Sequence, residues 1–118
     1  MKRWLKIVIV VIVILGIMQL FHPAKNFTKA EPTADVATKY EVPMNVLMIL
    51  YTACYNCHSN YTKYPWYYKA EPVGWWMAYH INKAKRQVNF SEFATYSPKE
   101  ATKKFHEIYE VTDEKTMP

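Results

Sequence analysis

Apolar positions run unbroken from Ile7 to Leu15, and GIMQLF carries the run on to Phe21. As a helix, Trp4 to Phe21 would span about 27 Å at 1.5 Å per residue, enough for a thin bilayer core. Lys2, Arg3 and Lys6 precede it, Lys6 able to snorkel, and Trp4 and Phe21 suit the two interfaces. The pattern predicts a transmembrane signal anchor over residues 1–22, with lipid around residues 4–21. A cleavable leader would need small residues soon after the run, and MQLFHPAKN offers no A-x-A site. The basic start keeps the N-terminus in the cytoplasm, so the remainder is expected on the far side of the membrane.

Beyond the run the pattern changes. Residues 23–39 contain Pro23, Pro32, lysines and threonines with few large apolar side chains, and read as a linker. A domain over residues 40–118 follows. Pro43 suits the first turn of a helix that runs into Cys54; Met44, Leu47, Met48 and Tyr51 share one face, and Val46, Ile49, Leu50 and Ala53 occupy others. A helix apolar all round is expected to be covered on more than one side. YTKYPWYYKAEP reads as a loop because Pro65 breaks it. Val73, Trp76, Met77, His80 and Ala84 then form an inward stripe at helical spacing on a helix from Pro72 to about Arg86. NFSEF reads as a turn. Ser97, Pro98 and Glu100 form a capping box opening a third helix to about Glu110, with Ala101, Phe105, Ile108 and Tyr109 inward. No long alternation of period two appears, so the expected class is all-α.

Composition narrows the function. Three of the 15 basic residues sit ahead of the apolar run, leaving 12 against 10 acidic ones, too little bias for nucleic-acid binding. Two glycines exclude a Gly-rich phosphate loop, and two cysteines exclude a multi-disulfide scaffold. Ten of the 29 residues from Tyr51 to Tyr79 are aromatic. About 80 residues is small for an independent core, so a staple is expected.

Cys54-Tyr55-Asn56-Cys57-His58 supplies one. C-x-x-C-H is the attachment signature of c-type haem. Thiols three apart lie on one side of a helical turn and can add to the two vinyl groups of one porphyrin, and the next residue brings an imidazole to the iron. A redox dithiol would want a βαβ context; a disulfide here would close too short a loop to stabilise much; a zinc site would need two further ligands. One covalently held haem c is expected, with Met44, Leu47, Leu50, Trp76 and Met77 as candidate walls. The distal iron position falls to Met117, a soft neutral thioether in a polar segment past a helix end, with His80 on the inward stripe as the alternative; Met77 and His106 rank lower. No Ser/His/Asp grouping, paired carboxylate or second metal motif suggests an enzyme. One-electron transfer to unidentified redox partner proteins is expected. The alternatives are a haem-based gas or redox sensor and an accessory haem domain of a peroxidase-like system, for which Arg86 and His80 are the only parts.

The chain resembles the small haem-binding domain proteins of bacteria. The resemblance rests on C-Y-N-C-H-S-N over Cys54 to Asn60, T-x-x-P-W-Y over Thr62 to Tyr67, P-V-x-W over Pro72 to Trp75, N-F-S-E-F over Asn89 to Phe93, and M-P at Met117. It implies covalent haem on Cys54 and Cys57, His58 as axial ligand and a cytochrome c-like helical fold. Similar proteins continue past the M-P by about one helix, so the implied fold lacks its last helix here. With the anchor, the resemblance places the protein in the bacterial cytoplasmic membrane as a single pass, with its haem domain on the periplasmic side.

Overall fold

The computed structural model describes residues 1–29 and 33–117; Pro32 of the linker and Pro118 of the M-P pair lie outside them. The elements are α1 (Arg3–Met18), α2 (Val36–Lys39), α3 (Met44–Ile49), a π-helical turn (Leu50–Cys54), α4 (Tyr55–His58), a 3-10 turn (Trp66–Lys69), α5 (Val73–Gln87), a second 3-10 turn (Phe90–Thr95) and α6 (Pro98–Asp113). Among the described residues no strand forms; Phe27 and Tyr61 make an isolated antiparallel bridge.

Two expectations about the N-terminus are corrected. No helix among the described residues is long and apolar enough to cross a membrane. α1 has 16 residues, about 24 Å at 1.5 Å per residue, against a hydrocarbon core of about 30 Å. Past Met18 the backbone tightens into a turn, and the Gln19 side chain is tied to a distant segment: its amide donates to Glu71 O at 3.0 Å and its carbonyl accepts from Glu71 N at 3.0 Å. The transmembrane helix over 1–22 is therefore not part of the fold. The single-pass placement in a bacterial cytoplasmic membrane, with the haem domain on the periplasmic side, loses its basis with it.

The chain after α1 is bonded onto the rest. Trp75 Nε1 donates to Phe21 O at 2.7 Å, and Tyr68 Oη donates to Pro23 O at 3.1 Å. His22 Nδ1 lies 2.9 Å from the buried Glu71 carboxylate. Asp35 and Val36 are buried. Asp35 accepts from Ala37 N as the cap of α2, and Tyr55 Oη donates to both its oxygens at 2.9 and 3.1 Å.

The core is small and aromatic. Val36, Tyr55, Val88, Phe90, Phe93 and Ala101 pack together from five short stretches. Phe93 is fully enclosed, with Tyr40, Phe90, Tyr96 and Phe105 around its ring. Burying one such ring stabilises the fold by about 1.5–3 kcal/mol. NFSEF is thus more than a turn: its two phenylalanines are core residues, and Asn89 caps it by accepting from Ser91 N at 3.0 Å.

α6 begins at the expected capping box, with Ser97 and Glu100 bonded reciprocally. Ala101 and Ile108 face the core as expected, whereas Tyr109 is 66% exposed because the helix outruns the domain. α3 departs most from expectation. None of its residues is buried, and Met44, Met48 and Ile49 stand in solvent. The cover that its all-round apolar pattern predicted does not come from the described part of the chain.

Candidate functional site

α3 passes into the motif through the π-helical turn. Tyr55 N reaches back to Leu50 O, and Thr52 Oγ1 bonds to the carbonyls of Met48 and Ile49, which widens the turn. π-Turns inside helices recur at functional sites. Here the turn delivers Cys54 against the core, half buried, while Cys57 one turn on is exposed. Both cysteines are free thiols. Burial, and then the neighbouring Cys57, push the Cys54 thiol above its ordinary value, so it stays protonated near neutrality.

His58 ends α4, half buried. Its Nδ1 lies 3.0 Å from Ala84 O and 3.0 Å from Val88 O, the carbonyls at the C-terminal end of α5. Carbonyls only accept, so Nδ1 carries the proton and donates to both. The neutral ring then keeps its lone pair on Nε2. This is the arrangement in which histidines bind metals: one nitrogen donates to a backbone carbonyl, which fixes tautomer and orientation, and the other is left for the ion.

Beside this, α5 and the aromatic loop enclose an open cleft of about 680 Å³ whose walls include Cys57, Tyr64, Tyr67, Trp76, Met77 and His80. That volume falls within the range of about 300–1,000 Å³ usual for small-molecule sites. The wall is mainly apolar, and Trp76 is 64% exposed on it. His80 is held edge-on by the Trp76 and Tyr79 rings at 4.3 and 5.4 Å. The stripe read as inward, Val73, Trp76, Met77, His80 and Ala84, is thus not the buried face. Gly74 and Ile81 are the buried residues of α5, and Trp76, Met77 and His80 line the cleft.

The structure therefore brings Cys57, Met77 and His80 to one wall. Cys54, His58 and Met117 are not part of that lining. Met117 follows α6, 48% exposed, its N–H bonded to Val111 O at 3.2 Å. The donor set fits a haem: two reduced thiols three residues apart, an imidazole with Nε2 left for iron, and an apolar cleft reached by one of the thiols.

A model of the haem-binding domain family matches residues 13–118. The chain belongs to that family. Haem is accordingly its cofactor. No curated protein and no solved structure matches the chain.

Around the site of this haem-binding domain, sequence reading missed four supporting residues. Asn89 Nδ2 donates to Asn60 Oδ1 at 2.8 Å, and Asn60 N donates to Ser91 Oγ at 3.0 Å, which joins the segment after His58 to the residues that follow α5. Lys104 on α6 donates to Gln87 O at the same helix end. Asn26 donates to Ser59 O in the same segment. Asn60 and Asn89 stood inside the motifs that carry the resemblance; Asn26 and Lys104 carried no sequence signal.

Proposed function

We propose that this domain binds one haem c covalently through Cys54 and Cys57, with His58 as the proximal axial ligand, and serves as a one-electron carrier. The observation that carries the reading is the pair of carbonyls on His58 Nδ1, which leaves Nε2 as the donor. Bound haem supplies an iron that takes up and gives back a single electron. The protein's part is to hold and insulate. The two thiols are the anchors, Ala84 O and Val88 O keep the imidazole in one tautomer, and Tyr64, Tyr67 and Trp76 exclude water from the cleft. Exclusion of water limits the solvent rearrangement that accompanies a change of charge.

The distal position is proposed for Met117, with His80 as the alternative favoured by its place on the cleft wall. Ligation by Met117 requires the turn after α6 to give up its bonds to Val111 O, which Thr116 N and Met117 N both make.

The test is intact mass of the full chain expressed with a c-type haem-attachment machinery. A gain of one haem that survives denaturation, loss of attachment in a Cys54→Ala, Cys57→Ala double variant, and an altered spectrum in His58→Ala are expected. Colourless protein, or pigment released by acid acetone, refutes covalent attachment. A low-spin spectrum indifferent to CO supports the carrier; ready CO binding refutes it in favour of a sensor.

A further inference from the structure

Asn26, outside the motif, is hydrogen-bonded through both its side chain and its backbone. Its Nδ2 donates to Ser59 O at 2.8 Å and to Thr62 Oγ1 at 2.9 Å, and its Oδ1 accepts from Lys85 Nζ at 2.7 Å. Its backbone N donates to Tyr64 Oη at 2.6 Å, and its backbone O accepts from Thr62 N at 3.0 Å. Ser59 is the residue after His58, and Lys85 is the residue after Ala84, whose carbonyl takes the His58 proton. One side chain thus bridges the segment after α4 and helix α5, one residue beyond the hydrogen bond that orients the imidazole.

We infer that Asn26 is the positioning residue of the axial histidine: by tying Ser59 to Lys85 it holds His58 Nδ1–H on the carbonyls that end α5, and so sets the donor strength of Nε2 toward iron. The inference rests on the reading of His58 as an iron ligand. The carbonyls at a helix C-terminus carry partial negative charge. A ring N–H held on them pushes electron density toward the other nitrogen, making it a better donor. A better donor stabilises ferric over ferrous iron and lowers the potential. Releasing the clamp lets the ring rock off the carbonyls and raises the potential.

The test uses the haem-loaded full chain. Asn26→Ala is expected to raise the midpoint potential, up to a tenfold change in the ferric-to-ferrous ratio at a fixed poise, which is about 59 mV for one electron; Asn26→Asp adds a negative charge that by itself favours ferric iron, so it is read by proton exchange alone. The His58 Nδ1 proton, followed by nitrogen-15 NMR, should exchange faster with solvent. Aspartate keeps an acceptor for Lys85 but turns an oxygen toward Ser59 O, so it does not rescue. Ser97→Ala, which removes the cap of α6 and breaks side-chain bonds to Glu100 alone, should lower the unfolding midpoint while leaving potential and proton exchange unchanged. If the Asn26 variants do not fold, Lys85→Met, which breaks only one arm but also removes a positive charge that disfavours ferric iron, should give a smaller quickening of the His58 Nδ1 proton exchange. The inference fails if the variant that folds retains His58 ligation with the parent's potential and exchange rate, or if Ser97→Ala shifts both equally. A colourless parent, or a His58→Ala chain with unchanged iron coordination, would instead sink the haem-ligand reading beneath it.

Discussion

Gly74→Ala is a sensitive probe of how α5 is seated. In an ordinary helix interior the exchange stabilises by about 1 kcal/mol, because alanine has less backbone freedom to lose. At position 74 a Cβ would lie 2.6 Å from Tyr68 O and 2.7 and 2.8 Å from the two Glu71 carboxylate oxygens. Neither neighbour can step aside at small cost. Tyr68 O is backbone, and the Glu71 carboxylate is buried while accepting from Trp75 N at 2.9 Å and facing His22 Nδ1 at 2.9 Å. Overpacking costs about 1–3 kcal/mol, and a hydrogen bond to a charged group is worth about 1.5–3 kcal/mol. Set against the helix gain, the expected net loss is about 2–4 kcal/mol. Urea unfolding of the full chain by circular dichroism reads this as a midpoint lowered by about 1–2 M at an unchanged slope near 2 kcal/mol/M. Gly16→Ala in α1 is the matched control, since nothing lies within 4 Å of its added Cβ. It should be neutral or stabilising. A Gly74→Ala chain as stable as the parent would show that the seat of α5 on Glu71 is not as described.

Further outcomes concern the core and the iron. Burial first, then the hydrogen bond to Asp35 and its charge, hold the Tyr55 phenol well above its ordinary value of 10.0. The unfolded chain therefore releases that proton first. The stability it contributes is full below about pH 10 and falls as pH rises beyond it. Tyr55→Phe should cost about 1–3 kcal/mol near neutrality and flatten the alkaline fall; unfolding midpoints at about pH 8 and pH 11 that change in parallel with the parent's would contradict this. In the haem-loaded chain, Met117→Leu should abolish a sulfur-to-iron charge-transfer band and lower the potential, while His80→Leu leaves both. A parent that lacks this band, and that loses its low-spin spectrum in His80→Leu but keeps it in Met117→Leu, assigns the distal position to His80.

What the sequence disclosed follows the range of the interactions involved. α5 and α6 were legible to within a few residues, because Pro72, Pro98 and the Ser97–Glu100 box act within one turn. Cys54, Cys57 and His58 stood out as a motif, and the family match supports haem as the cofactor of the domain. The acceptors on His58 did not stand out, since they are backbone carbonyls 26 and 30 residues away. The end of α1 was misjudged for the same reason. Hydropathy counts Gln19 as one polar residue in an apolar run, whereas its partner is the main chain of Glu71, 52 residues on. Segment 23–39 looked uncommitted because its contacts are polar: Asn26 and Asp35 pack through hydrogen bonds that a hydrophobicity pattern does not register.

The seams at Gln19, His22 and Asn26 bear on how this chain can be trimmed. Hydropathy invites a cut near residue 40, which would strip Glu71 of His22, Ser59 of Asn26 and Tyr55 of Asp35 together. Each severed bond leaves a polar group stranded in the interior, and such orphans are among the costliest defects a small domain can carry. The smallest autonomous piece of this molecule thus begins ahead of Gln19, inside the greasy stretch that a worker seeking a well-behaved fragment would discard first.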